Sequence, residues 1–151
     1  MNKIEIRQWK KVLLSDLGYV AFELKDVIEK PSVIILNGVV GAGKTTFVKS
    51  FLDDQKATSP TYSVINESID AVYADFYRLN DVSEIAALEI PLYLEGKTFF
   101  LVEWGEKYLR SLTREVPEDF NFYFLDIVIH QPISPDQSEA RDFFLYSLKF
   151  D

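Results

Sequence analysis

Residues 38–45 read Gly-Val-Val-Gly-Ala-Gly-Lys-Thr, and this octet decides the fold. It fits the pattern G-x-x-x-x-G-K-[ST], the Walker A phosphate loop. Gly38, Gly41 and Gly43 allow backbone angles and close approaches that a side chain would obstruct. The N–H groups of the loop can then turn inward and wrap the α- and β-phosphates of a nucleotide. The pattern assigns Gly41, Ala42, Gly43, Lys44, Thr45 and Thr46 to nucleotide binding, with Lys44 a point charge at the β- and γ-phosphates and Thr45 a hydroxyl on Mg²⁺. The helix expected to begin here points the positive end of its dipole at the phosphates. Ser32-Val33-Ile34-Ile35-Leu36, just before the loop, is short, apolar and β-branched, as a buried parallel strand should be. Thr46 to Leu52, just after it, sets Phe47, Val48, Phe51 and Leu52 at helical spacing. Glycine is scarce, 6 of 151 residues, which argues against a chance match in this strand–loop–helix setting.

Composition narrows the chemistry. At 151 residues the chain is expected to be one domain, 1–151, large enough for a real core. Hydrophobic residues at 48% and aromatics at 15% exclude disorder. Met1 to Arg7 is mixed and polar, unlike a signal segment, and no apolar run approaches membrane-spanning length. A soluble, cytoplasmic protein is expected. The absence of cysteine removes disulfides, Fe–S clusters, thiol nucleophiles and cysteine zinc sites. A lone histidine, His130, removes a histidine-based metal cluster and reads as a polar residue closing a strand. Chemistry is left to carboxylates, hydroxyls, Lys44 and a bound Mg²⁺. The net charge of −8 and the lack of a basic stripe disfavour tight nucleic-acid binding, which rests on neutralising phosphates with Lys and Arg.

Outside the loop, the pattern alternates strands and helices. Ile4 and Ile6 alternate with charges, as in a short edge strand. Ser15 is a candidate N-cap for a helix carrying Leu17, Val20, Ala21, Leu24, Val27 and Ile28, stopped by Pro31. Asp53 to Pro60 reads as a loop. Tyr62 to Asn66, Ala71 to Phe76 and Thr98 to Val102 read as strands. Ser83 is placed to cap a short helix before Pro91, and Tyr108, Leu109 and Leu112 suggest another. Two alternating tail segments, Tyr123 to Ile129 and Phe144 to Phe150, flank a Pro/Ser/Asp-rich turn. They suggest antiparallel strands on the far side of the sheet.

Hydrolysis requires an acid near Mg²⁺ beyond the loop itself. Two apolar strands end in one: Ala71-Val72-Tyr73-Ala74-Asp75 and Phe99-Phe100-Leu101-Val102-Glu103. Open α/β sheets place ligands at such strand ends. Asp75 and Glu103 are therefore the candidates to divide metal coordination and water orientation between them. In Ser59-Pro60-Thr61-Tyr62, Pro60 fixes its own φ and restricts Ser59. Thr61 is either a γ-phosphate or Mg²⁺ sensor in a switch loop or part of an ordinary turn. Trp104 either shields the site or fills core, and core is expected of an aromatic. Arg78 has three open roles: pairing with an acid, contacting phosphate or contacting a partner.

Taken together, Gly38 to Phe47, Ser59-Pro60-Thr61-Tyr62 through Asn66-Glu67, Asp75-Phe76-Tyr77-Arg78-Leu79, Glu84 through Tyr93-Leu94, and Val102-Glu103-Trp104 resemble the bacterial TsaE (YjeE) family. These are the ATPases of tRNA threonylcarbamoyladenosine biosynthesis. The likeness spans about residues 14–104 and continues loosely to Glu139-Ala140-Arg141. It implies an α/β P-loop NTPase domain with a mixed, mainly parallel sheet, and slow Mg²⁺-dependent hydrolysis of ATP. It implies TsaB–TsaD-like partners, with tRNA reached only through them. By the same resemblance the catalytic set is Lys44, Glu103, Asp75 and Thr61, and the Mg²⁺ ligands are Thr45 and Glu103. Two departures stand out: Val39 replaces an acid usual in the family's loop, and Leu14 stands where a threonine near the base is common. The rival reading is a small P-loop kinase for a metabolite or nucleoside. Such kinases usually carry an arginine-rich lid, and no such insertion is present.

Overall fold

The computed structural model describes residues 1–39, 41–52, 64–130 and 139–150. Among these, seven strands form one mixed sheet flanked by helices on both faces. The strands are β1 (Asn2–Val12), β2 (Ser32–Asn37), β3 (Ile65–Glu67), β4 (Ala71–Asp75), β5 (Phe99–Glu103), β6 (Asn121–His130) and β7 (Ala140–Lys149). Their order across the sheet is β1-β7-β6-β2-β5-β4-β3. The central strands β6, β2, β5 and β4 run parallel, and the two edges are antiparallel. The sheet is thus mixed, parallel through its centre and antiparallel at its edges. No helix of the described residues is long and apolar enough to cross a membrane.

β2 shows why the centre is parallel. Ser32 to Leu36 are all buried, so the strand carries no solvated face and reads as a continuous apolar run. Ile34 and Leu36 pack on one side with α1 (Leu17–Val27) and α2 (Lys44–Leu52), beside Val20, Leu24, Phe47 and Phe51. Val33 and Ile35 pack on the other with Ile85 of α3 (Ser83–Ala87), Ile90 and Leu94 of α4 (Ile90–Leu94) and Leu112 of α5 (Leu109–Glu115). Each buried aliphatic or aromatic side chain contributes about 1.5–3 kcal/mol. From β2 the chain enters α2 on one face of the sheet, and its next strands, β3 and β4, lie beyond β5. From β5 it returns through α5 on the other face to β6, on the far side of β2. The crevice at the carboxyl ends of β2 and β5 is therefore the topological switch point of the sheet.

Several local expectations change. The edge strand β1 is eleven residues long, because it pairs with the whole of β7. β6 lies on the expected side of the sheet but runs parallel to β2, since the helical crossover through α5 returns the chain to the same end. Only β7 is antiparallel to both of its neighbours; alternation marks faces and carries no strand direction. Ser15 caps nothing: it sits inside a 3₁₀ turn, Leu14–Asp16, where the Asp16 carboxylate accepts the Leu13 N–H at 3.0 Å. Ser83 is the first residue of α3, and the Glu84 carboxylate accepts the N–H groups of Asn80 and Asp81 at 2.6 and 2.9 Å. Pro91 lies in the first turn of α4, where a missing N–H costs nothing. His130 closes β6 and faces Asp142 at 3.2 Å.

Candidate functional site

The loop leaves β2 under tight steric limits. A Cβ on Gly38 would lie 2.8 Å from the backbone oxygen of Ile127 in β6 and 3.1 Å from the Ala42 Cβ. A backbone oxygen cannot swing aside as a side chain can. Gly38→Ala is therefore expected to destabilise the protein by about 1–3 kcal/mol, read as a lowered midpoint in urea unfolding; an unchanged midpoint would show that the approach is slack. Gly41 and Gly43 have φ of +85° and +104°, conformations that L side chains rarely adopt. The Ala42 N–H donates to the Val39 oxygen at 2.9 Å, and the Phe47 N–H to the Gly43 oxygen at 2.9 Å. Those bonds close the turn and start α2 at Lys44.

The sheet delivers the other groups. Asp75 and Glu103 are register partners on β4 and β5, and Leu36 lies across from Glu103 on β2. All three strand ends therefore meet the loop. A cavity of about 540 Å³ is lined by Gly41, Lys44, Thr45, Asp75, Glu103 and Trp104, among others. Thr45 Oγ1 donates to Glu103 Oε1 over a long 3.4 Å. Asp75 Oδ1 accepts the Tyr77 N–H at 3.0 Å, which anchors the turn after β4. Lys44 is buried, with Nζ donating to the Gly38 oxygen at 2.8 Å and lying 4.0 Å over the Trp104 ring. Burial pushes the Lys44 ammonium pKa down, against the pull of Glu103 and Asp75. Burial, reinforced by the charge of Asp75, holds the Glu103 carboxyl above the usual range, against Tyr73, Lys44 and Thr45.

These groups suit a hard cation. Thr45, Glu103 and Asp75 offer only oxygen. Among the described residues no cluster of three or more His, Cys, Asp or Glu forms an all-protein cage. Mg²⁺ characteristically uses one or two carboxylates plus substrate phosphates in such settings. The buried Tyr73 hydroxyl has no hydrogen-bond partner. Burial, reinforced by the charges of Glu103 and Asp75, raises its pKa well above that of an ordinary phenol, against the pull of Thr45. A dry polar group of this kind is costly unless the site supplies a partner.

The structure thus brings together Gly41, Ala42, Gly43, Lys44, Thr45, Thr46, Asp75 and Glu103. Thr61 lies outside the described residues. Trp104, expected in the core, is 39% exposed with φ +60°, and its ring packs on Tyr77 at 5.2 Å. The following residue explains the sharp turn: a Cβ on Gly105 would come within 2.6 Å of Val102 Cγ1. Sequence reasoning gave Arg141 no place at the site. Its Nε donates to the Ala42 oxygen at 2.7 Å and its Nη2 to the Gly41 oxygen at 3.2 Å. A second cavity, about 300 Å³, adjoins the loop between Leu13, Leu14, Thr46, Arg141 and Phe143.

The family model described as "Threonylcarbamoyl adenosine biosynthesis protein TsaE" matches residues 14–131. The tRNA threonylcarbamoyladenosine biosynthesis protein TsaE of Bacillus subtilis is 35% identical over 117 residues, covering 72% of this chain and 72% of that protein. The protein of the same name from a Nostoc species is 32% identical over 125 residues, 71% of this chain and 75% of its own length. The crystal structure of YdiB from Bacillus subtilis superposes with a TM-score of 0.58 at 23% identity, over 99% of this chain and 89% of that one. At that identity the likeness bears on the fold alone.

Proposed function

The chain belongs to the TsaE family, and from that premise we propose that it is a Mg²⁺-dependent ATPase serving threonylcarbamoyl modification of tRNA adenosine through TsaB–TsaD-like partners. The observation that carries the reading is the meeting of Lys44 and Thr45 on a glycine loop with Asp75 and Glu103 at adjoining strand ends. In this reading the loop backbone and Lys44 hold the phosphates, and the cavity beside Thr46 receives the nucleoside. Thr45 and Glu103 hold Mg²⁺, which draws charge from the phosphate oxygens when bound. Asp75, fixed by the Tyr77 N–H, orients the attacking water. Thr61 keeps its proposed role as γ-phosphate sensor.

The charge of −8 opposes direct contact with tRNA, so the RNA is reached through partners. ATP strengthens docking only if the two nucleotide states differ in affinity for those partners. The test is binding of this chain to an immobilised TsaB–TsaD-like complex with ATP, with ADP and without nucleotide, beside a tRNA gel shift of the chain alone. ATP-dependent docking and no tight tRNA binding are expected. Sub-micromolar tRNA binding by the isolated chain at physiological salt would sink partner-mediated access, and nucleotide-independent docking would sink the switch.

A further inference from the structure

We infer that Arg141, on β7, is a positioning residue of the phosphate loop: its guanidinium holds the Gly41 and Ala42 carbonyls outward and so turns the Gly43 N–H toward the phosphate site. This rests on the nucleotide-binding reading above. The side chain is 18% exposed and reaches the loop from about a hundred residues away in sequence. Its Nη1 also donates to the Ala140 oxygen at 3.2 Å, and Glu139 Oε2 lies 3.5 Å from Nη2. The guanidinium is therefore fixed from its own strand while its fork reaches the loop.

The consequence follows from peptide geometry. A planar trans peptide directs its C=O and the next N–H to opposite sides. Holding the Ala42 carbonyl on Arg141 commits the Gly43 N–H to the other side, the side of the phosphate cleft. Holding the Gly41 carbonyl commits the Ala42 N–H, which is already spent on Val39. Glycines at 41 and 43 cannot order these peptides through side-chain contacts, because they have none, and glycine loses the most backbone freedom on ordering. Arg141 supplies the order from outside. β7 is a suitable platform, since it is hydrogen-bonded to β1 on one side and β6 on the other. Arginine suits the task because its rigid fork engages two acceptors at once, where lysine offers a compact point charge.

The experiment measures the affinity of wild type, Arg141→Met and Arg141→Lys for ATP and for inorganic tripolyphosphate, each with Mg²⁺, after thermal unfolding has shown each variant to be folded at the assay temperature. Tripolyphosphate has no nucleoside, so it reads the loop alone. Arg141→Met is expected to weaken both probes by the same factor, about tenfold, as the loss of a charge-assisted hydrogen bond implies. Arg141→Lys, able to reach one carbonyl, is expected to fall between, and it keeps the charge should the methionine variant fail to fold. Unchanged affinity for both probes, with only a lower unfolding temperature, would reduce Arg141 to a structural tie and overturn the inference. Loss for ATP alone would place its action on the nucleoside and overturn it equally. If wild type binds neither probe, the nucleotide reading itself fails, and this inference with it.

Discussion

Lys44→Ala is expected to abolish ATP turnover and to weaken ATP binding by roughly 1.5–3 kcal/mol, the worth of a charge-assisted contact, with more lost in the transition state. The fold is expected to survive. Lys44 is buried, and that burial disfavours its charge. Its bond to the Gly38 oxygen and its place over Trp104 are thus held against a desolvation cost that alanine removes. Turnover and thermal unfolding measured on the same preparation separate the two effects. Normal turnover in the variant would defeat the assignment of residues 38–45 as a phosphate loop.

Glu103→Gln is expected to lower turnover on the order of a hundredfold while leaving ATP binding much less affected. In the proposed mechanism the loop backbone supplies most ground-state phosphate contacts, whereas the carboxylate acts on the metal and the developing charge. The same variant carries a stability signature. The folded-state pKa of Glu103 is raised, so between its unfolded and folded values the native state binds the extra proton. Its contribution to stability is therefore lost as pH rises through that interval. Without nucleotide, the unfolding temperature of wild type is expected to fall relative to Glu103→Gln as pH climbs above the ordinary glutamate range. Parallel pH profiles for the two proteins would show that the surroundings do not raise the Glu103 pKa. If turnover survives Glu103→Gln and is lost in Asp75→Ala, the two acids exchange roles.

What the sequence made legible was local. The octet at 38–45, the apolar run before it and the helical spacing of Phe47, Val48 and Phe51 are each written within a few residues, and the structure forms β2, the loop and α2 from them. Asp75 and Glu103 were legible as acids ending apolar strands, and their register pairing follows from the parallel centre of the sheet. Long-range geometry was not legible. Arg141 reaches Gly41 and Ala42 only because β7 packs beside β6 and β6 beside β2, and no spacing along the chain encodes that approach. The direction of β6 was hidden for the same reason. Trp104 looked like core because aromatic residues usually are; the one local hint was Gly105 behind it, the mark of a turn too tight for a side chain. Ser15 and Ser83 looked like caps by residue type, but Ser15 lies inside a 3₁₀ turn and the Ser83 N–H at the start of α3 is itself accepted by the Asp81 carboxylate.

The central claim is that the crevice at the carboxyl end of β2 takes ATP with Mg²⁺. Calorimetric titration of the purified chain with ATP, in Mg²⁺ and in excess chelator, tests it most directly. The account predicts one saturable site per chain in Mg²⁺, weakened when the metal is removed because Thr45 and Glu103 then lose the cation through which they meet the phosphates. Absence of saturable binding in Mg²⁺, or binding indifferent to Lys44→Ala, would contradict it.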